Sequence, residues 1–210
     1  KETGLPIVTE LMDVRQLQYF ADVDIIQIGA RNMQNFDLLK EMGKAGKPIL
    51  LKRGMAATVK ELLMSAEYIM ASGNENVILC ERGTVMGYHH LVVDMTALVT
   101  MRNLGYPVMF DATHSVQQPG GLGGMSGGDS ALALPLARAA AAVGIDVLFA
   151  ETHPDPKKAR SDGPNMIPLG EMGAFLDQVL AIHRARRALP DGLRQGKDAP
   201  ERGREGGGAR

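Results

Sequence analysis

His114, Glu151 and Asp162 are side chains of metal-ligating type. The imidazole closes the apolar run PVMFDATH, one carboxylate lies near the end of the next run, DVLFAETH, and the other sits in the loop beyond it. One imidazole with two oxygen donors suits a borderline divalent ion such as Zn, Fe or Mn, and an incomplete set leaves a position for substrate or water. Spacing alone is a weak signal, because a loop histidine flanked by capping acids gives the same pattern. Asp111 is placed to hold the His114 ring from behind. A second set is cationic: Lys52 and Arg82 lie at or near the carboxyl ends of the strand-like runs PILLKRG and NVILCERG, and Arg31 follows DIIQIG, which contains Gln27. Three cations around one mouth repel unless an anion lies between them, and guanidinium forks match phosphate or carboxylate. Ordinary pairing with Glu10, Glu81 and Asp111 accounts for the same charges equally well.

Other residues carry weaker signals. QQPGGLGGMSGG, at 117–128, can bring backbone N–H groups to a phosphate, act as a mobile lid, or be plain flexible loop. His89 and His90 are adjacent and cannot readily face one ion from a regular element, so both read as solvated loop residues. Cys80 falls inside a strand-like run and reads as a buried, inert thiol. The 13 methionines scatter over helix faces and loops and read as core filler.

These groups need elements to hold them. Short apolar runs at 5–10, 24–29, 48–54, 76–83, 107–114 and 146–153 read as strands. Helical patterns fall between and after them, at 14–21, 35–45, 58–70, 92–104, 129–143 and 170–189. Thr58 and Glu61 have capping-box spacing at the start of the clearest one. Nearly continuous apolar strands alternating with helices imply a parallel sheet covered on both faces. No Gly-rich turn follows the first strand, which argues against an open dinucleotide-binding sheet. Chemistry gathered from many strand ends fits a (β/α)8 TIM barrel, of which six of eight units are expected here, with the first two missing before Lys1.

With 210 residues, 45% of them apolar, the chain can build one sizeable core, expected over 1–189. A net charge of −1 gives no bulk attraction for nucleic acid. A single cysteine forbids an intrachain disulfide, and no apolar run approaches the ~18 residues of a membrane span. A soluble, cytoplasmic chain without nucleic-acid or membrane partners is the expectation. Residues 190–210 are Gly-rich and mixed in charge, and are expected to be a disordered tail.

ERGTVMGYHHLVVDM, FDATHSVQQPGGLGGMSGG and ETHPDPKKARSDGPNMIPL resemble the octulosonate branch of the 3-deoxy-D-arabino-heptulosonate-7-phosphate / 3-deoxy-D-manno-octulosonate-8-phosphate synthase family. ETGLPIVTELMD, QIGARNMQNFDLL and LLKRGMAATVKELLMSAEYI are closer to the heptulosonate branch. The resemblance covers about residues 2–185 and implies condensation of phosphoenolpyruvate with a phosphorylated aldose, arabinose 5-phosphate being favoured over erythrose 4-phosphate. It further implies that Lys52 and Arg82, with Arg31, Gln27 and Ala30, bind phosphoenolpyruvate, and that His114, Glu151 and Asp162 ligate a divalent metal. The implied catalytic set is His114, Lys52 and Arg82. In metal-dependent members the fourth ligand is a Cys in a segment expected to precede Lys1, and the family assembles as homo-tetramers. Two readings of other classes stand beside this one: a non-catalytic binding module, and a generic barrel metallohydrolase, which leaves the three cations unexplained.

Overall fold

The computed structural model describes residues 2–86, 90–120 and 127–190. His89, residues 121–126 of the Gly-rich segment and residues 191–210 of the expected tail lie outside the described residues.

Six strands form one parallel sheet in chain order: β1 (Val8–Glu10), β2 (Ile25–Ile28), β3 (Ile49–Lys52), β4 (Val77–Glu81), β5 (Val108–Asp111) and β6 (Val147–Phe149). Five α-helices accompany them: α1 (Phe36–Lys44), α2 (Val59–Ala71), α3 (Met95–Asn103), α4 (Ala133–Val143) and α5 (Met172–Arg187). The α/β barrel-like expectation is met by this sheet. Residues 14–21 depart from it: Val14–Tyr19 is a 3-10 helix rather than an α-helix, capped by the Asp13 carboxylate accepting from Arg15 N–H. A segment of six residues is too short to sustain an α-helix on its own hydrogen bonds.

Successive strand residues face opposite sides, and this alternation divides the work. Ile26, Ile28, Ile49, Leu51, Val77, Leu79, Val108 and Phe110 turn toward the helices and join Leu62, Ile69, Leu98 and Ala137 in the main core. On the other face Leu50, Cys80 and Met109 form a smaller cluster with Ile25, Ile78, Val147 and Phe149. Lys52, Gln27 and Asp111 share the parity of that second face, so their polar ends emerge above its apolar floor. Cys80 is fully buried there, and burial pushes its thiol far above the ordinary range, as expected for an inert cysteine.

Turn chemistry fixes the helices that support the strands. Thr58 and Glu61 form the full capping box: Thr58 Oγ1 accepts from Glu61 N–H at 3.2 Å, and Glu61 Oε2 accepts from Thr58 N–H at 2.7 Å. Thr58→Ala is expected to cost about 1 kcal/mol, read as a lower urea midpoint with unchanged slope.

Beyond the carboxyl ends of the strands lie three two-residue ladders: Thr84–Val85 with Leu91–Val92, Gln117–Gln118 with Gly127–Gly128, and Thr152–His153 with Ile167–Pro168. They brace the loops at the end of the sheet where the functional groups gather.

Candidate functional site

The strands deliver their polar residues to one cavity of about 290 Å³. Glu10, Gln27, Ala30, Arg31, Lys52, Arg82, His114, Gln117 and Glu151 are among its lining residues. Two positions differ from the sequence expectation. His114 does not close a strand: β5 stops at Asp111, and His114 opens a 3-10 turn, His114–Val116. Glu151 lies two residues beyond the end of β6, with its N–H donating to Thr113 Oγ1 at 2.7 Å.

The first polar chain starts at Lys52. Its Nζ donates to Asp111 Oδ2 at 2.6 Å, with the two side chains 5% and 0% exposed, and lies 3.9 Å from the centre of the Phe149 ring. The same Asp111 oxygen meets His114 Nδ1 at 2.8 Å, while Oδ1 accepts from His114 N–H at 2.9 Å. Burial alone would raise the Asp111 carboxyl, but the His114 hydrogen bond and the Lys52 charge outweigh it and hold it below its ordinary value. A carboxylate at Nδ1 places the ring proton there and leaves the lone pair on Nε2, the arrangement of a ligating histidine. Lys52 therefore does have a local partner, as simple pairing would require, but it still lines the cavity.

His114 Nε2 faces Glu151 Oε1 at 3.7 Å. Ligand atoms of His114, Glu151 and Asp162 all lie within 4.8 Å of one another. Burial raises the Glu151 carboxyl above its ordinary value; nearby His114 opposes this and the neighbouring Asp162 adds to it. Its Oε2 is buried with no hydrogen-bond partner. Two carboxylates and an imidazole lone pair this close, one carboxylate oxygen orphaned, fit a divalent cation in donor type and charge. Asp162 is the only non-glycine with positive φ among the described residues, at 55°, a left-handed conformation that needs support from its surroundings.

The second polar chain contains a residue that the sequence reading did not single out. Arg82 Nη2 donates to Gln117 Oε1 at 2.6 Å, and Gln117 Nε2 donates to Asp162 Oδ1 at 2.6 Å. Arg82 is buried, its pKa lowered chiefly by desolvation, and its Nη1 has no hydrogen-bond partner. Only the position of Gln117 at the entry to the Gly-rich segment could have marked it in the sequence. Arg31 is exposed on the rim, and Glu10 lies against Gly29, where an added Cβ would come within 2.1 Å of Glu10 Oε1. Glu10 and Glu81 do not neutralise the cations as simple pairing predicted. Glu81 faces the helices, where its carboxylate approaches Arg53 to 2.6 Å without hydrogen-bond alignment. Parity explains the difference: Glu81 belongs to the main-core face, Lys52 to the opposite one.

The chain is similar over most of its length to proteins of known name. The 2-dehydro-3-deoxyphosphooctonate aldolase of Magnetococcus marinus is 45% identical over 93% of this chain and 70% of its own length. That of Syntrophotalea carbinolica is 45% identical over 87% of this chain and 66% of its own. Among solved structures, phospho-2-dehydro-3-deoxyheptonate aldolase (DAHP synthase) of Thermotoga maritima superposes with a TM-score of 0.78 at 39% identity, covering 88% of this chain and 52% of that one. A truncated form of 3-deoxy-D-arabino-heptulosonate 7-phosphate synthase from Thermotoga maritima gives a TM-score of 0.75 at 39% identity, over 89% of this chain and 67% of that one. The chain thus spans about two thirds of these curated relatives. The model of the DAHP synthetase I family matches residues 1–186, and with sheet, cavity and sequence in agreement the chain belongs to that family.

Proposed function

We propose that the protein condenses phosphoenolpyruvate with arabinose 5-phosphate, giving 3-deoxy-D-manno-octulosonate 8-phosphate and inorganic phosphate. The observation that carries this reading is the cavity lined by Arg31, Lys52 and Arg82 together with His114 and Glu151, whose ligand atoms lie within 4.8 Å of one another and of Asp162. The names of the relatives from Magnetococcus and Syntrophotalea support the choice of reaction.

In this reading Lys52 and Arg82, assisted by Arg31, Gln27 and Ala30, hold the phosphate and carboxylate of phosphoenolpyruvate. Arg82 has a donor to spare, since Nη1 has no hydrogen-bond partner in the structure. The C3 carbon of phosphoenolpyruvate bonds to the aldehyde carbon, water bonds to C2, the aldehyde oxygen gains a proton, and the C2–O bond breaks to release phosphate. Lys52 and Arg82 hold the enol phosphate against the aldehyde and stabilise charge as it shifts. His114, Glu151 and Asp162 would hold a divalent ion, which when bound supplies Lewis-acid polarisation of an oxygen. Asp111 keeps the His114 proton on Nδ1 and the Lys52 ammonium in place. Residues 1–189 form the synthase domain, as six units of an eight-unit barrel that assembles as a homo-tetramer.

The test supplies phosphoenolpyruvate with arabinose 5-phosphate or erythrose 4-phosphate, with and without a chelator, and measures released phosphate. Release is expected with arabinose 5-phosphate, lost on chelation and restored by Mn2+. A heptulosonate synthase is the second reading, favoured by the Thermotoga structures and by the GARN turn that holds Ala30 and Arg31. Release with erythrose 4-phosphate alone would establish it, and release with neither sugar overturns both.

A further inference from the structure

We propose that Gln117 is a positioning residue that couples anion binding at Arg82 to divalent-cation binding at Asp162, an inference that rests on the reading above. The amide joins the two halves of the site through both of its polar atoms: Oε1 accepts from Arg82 Nη2 and Nε2 donates to Asp162 Oδ1, each at 2.6 Å. A guanidinium can only donate and an ionised carboxylate can only accept, so a single amide orientation satisfies both bonds. Turning the amide over loses both at once. Gln117 is 8% exposed, so water cannot readily replace either partner, and charged partners make both bonds stronger than neutral ones.

The bridge also leaves useful atoms open at each end. Arg82 gives Nη2 to Gln117 and keeps a buried, unpartnered Nη1 for an incoming anion. Asp162 gives Oδ1 to Gln117, and a carboxylate oxygen of Asp162 lies within 4.8 Å of ligand atoms of His114 and Glu151, on a backbone at φ 55°. A cation that fixes Asp162 therefore fixes the amide, and the amide fixes the guanidinium before the anion arrives. Ordering done by the first ligand is not repeated by the second, which makes the two bindings cooperative.

A parallel link runs from Lys52 through Asp111 to His114. It contains a buried ion pair, so cutting it disturbs folding as well as function. The Gln117 link is neutral at its centre and can be cut without stranding a bridging charge.

The experiment titrates the protein with phosphoenolpyruvate by calorimetry, metal-free and loaded with Mn2+. Binding to the unaltered protein is expected to be about tenfold tighter with Mn2+, and Mn2+ binding tighter by the same factor with phosphoenolpyruvate, because coupling is reciprocal. In Gln117→Leu that ratio should fall to about twofold, the part owed to direct charge attraction. Gln117→Glu is the second variant: it keeps an acceptor for Arg82 but sets a carboxylate against Asp162, and it should lose the coupling as well. Circular dichroism identifies variants that have folded. An unchanged ratio in either folded variant, or a ratio near one in the unaltered protein, overturns the coupling while leaving the functional reading intact. No binding of phosphoenolpyruvate to the unaltered protein at any Mn2+ concentration overturns the functional reading and the coupling with it.

Discussion

Arg82→Ala is expected to lower kcat/KM for phosphate release by about 10³-fold, roughly 4 kcal/mol of transition-state stabilisation. The magnitude follows from where the guanidinium sits. It is buried, Nη2 is tied to Gln117 and Nη1 is unpartnered, so it needs little reorganisation when charge develops beside it. Alanine removes the donor and strands Gln117 Oε1, which costs only about 1–3 kcal/mol of stability, and the fold should survive at room temperature. Phosphate release with both substrates, alongside a thermal melt, separates the two effects. A kcat/KM within tenfold of the unaltered protein would remove Arg82 from the substrate clamp.

The second large effect is on stability. Asp111→Asn should cost about 3–5 kcal/mol, on the order of 6–20 °C in Tm for a chain of this size. Asp111 is fully buried and its Oδ2 serves both the Lys52 ammonium and His114 Nδ1, so the amide would leave a buried ammonium without its counter-charge. The mechanism makes a sharper forecast than the loss itself. Adding Lys52→Met to Asp111→Asn should recover a large part of the stability, because the uncompensated charge is then gone. If the double variant is less stable than Asp111→Asn alone, charge burial is not the cause.

The sequence made residue types and their general location readable, and the pairings unreadable. Continuous apolar runs marked all six strands, although only β3 and β5 are buried at every residue; β1, at the sheet edge, is exposed throughout, so its run was legible from residue type rather than from burial. Strand ends were less legible: PVMFDATH looks like one extended run, yet the chain leaves the sheet at Asp111, whose Oδ1 accepts the His114 N–H and starts a turn. A side-chain hydrogen bond to local backbone competes with the ladder, and a pattern of apolar residues does not register it. Lys52, Arg82, His114, Glu151 and Asp162 stood out as candidates because cations and residues of metal-ligating type recur after strands. Their links were hidden because Lys52 and Asp111 are 59 positions apart, Arg82 and Gln117 are 35, and Gln117 and Asp162 are 45. Local spacing says nothing about such partners. Glu81 and Arg53 show the converse: charges at the right height on the sheet, but on the helix-covered face and paired with each other.

The order of strands in the sheet, identical to their order along the chain, bears on how the molecule is made. Each strand from β2 onward pairs with a predecessor that has already left the ribosome, so every strand after β1 finds a partner already made. At ribosomal speeds one strand and its helix emerge over a time on the order of seconds, whereas helices form in roughly a microsecond. Synthesis is thus slow enough to lay the sheet down plank by plank, and the groups that line the cavity, brought in by successive planks, meet only when β6 and its following loop are in place.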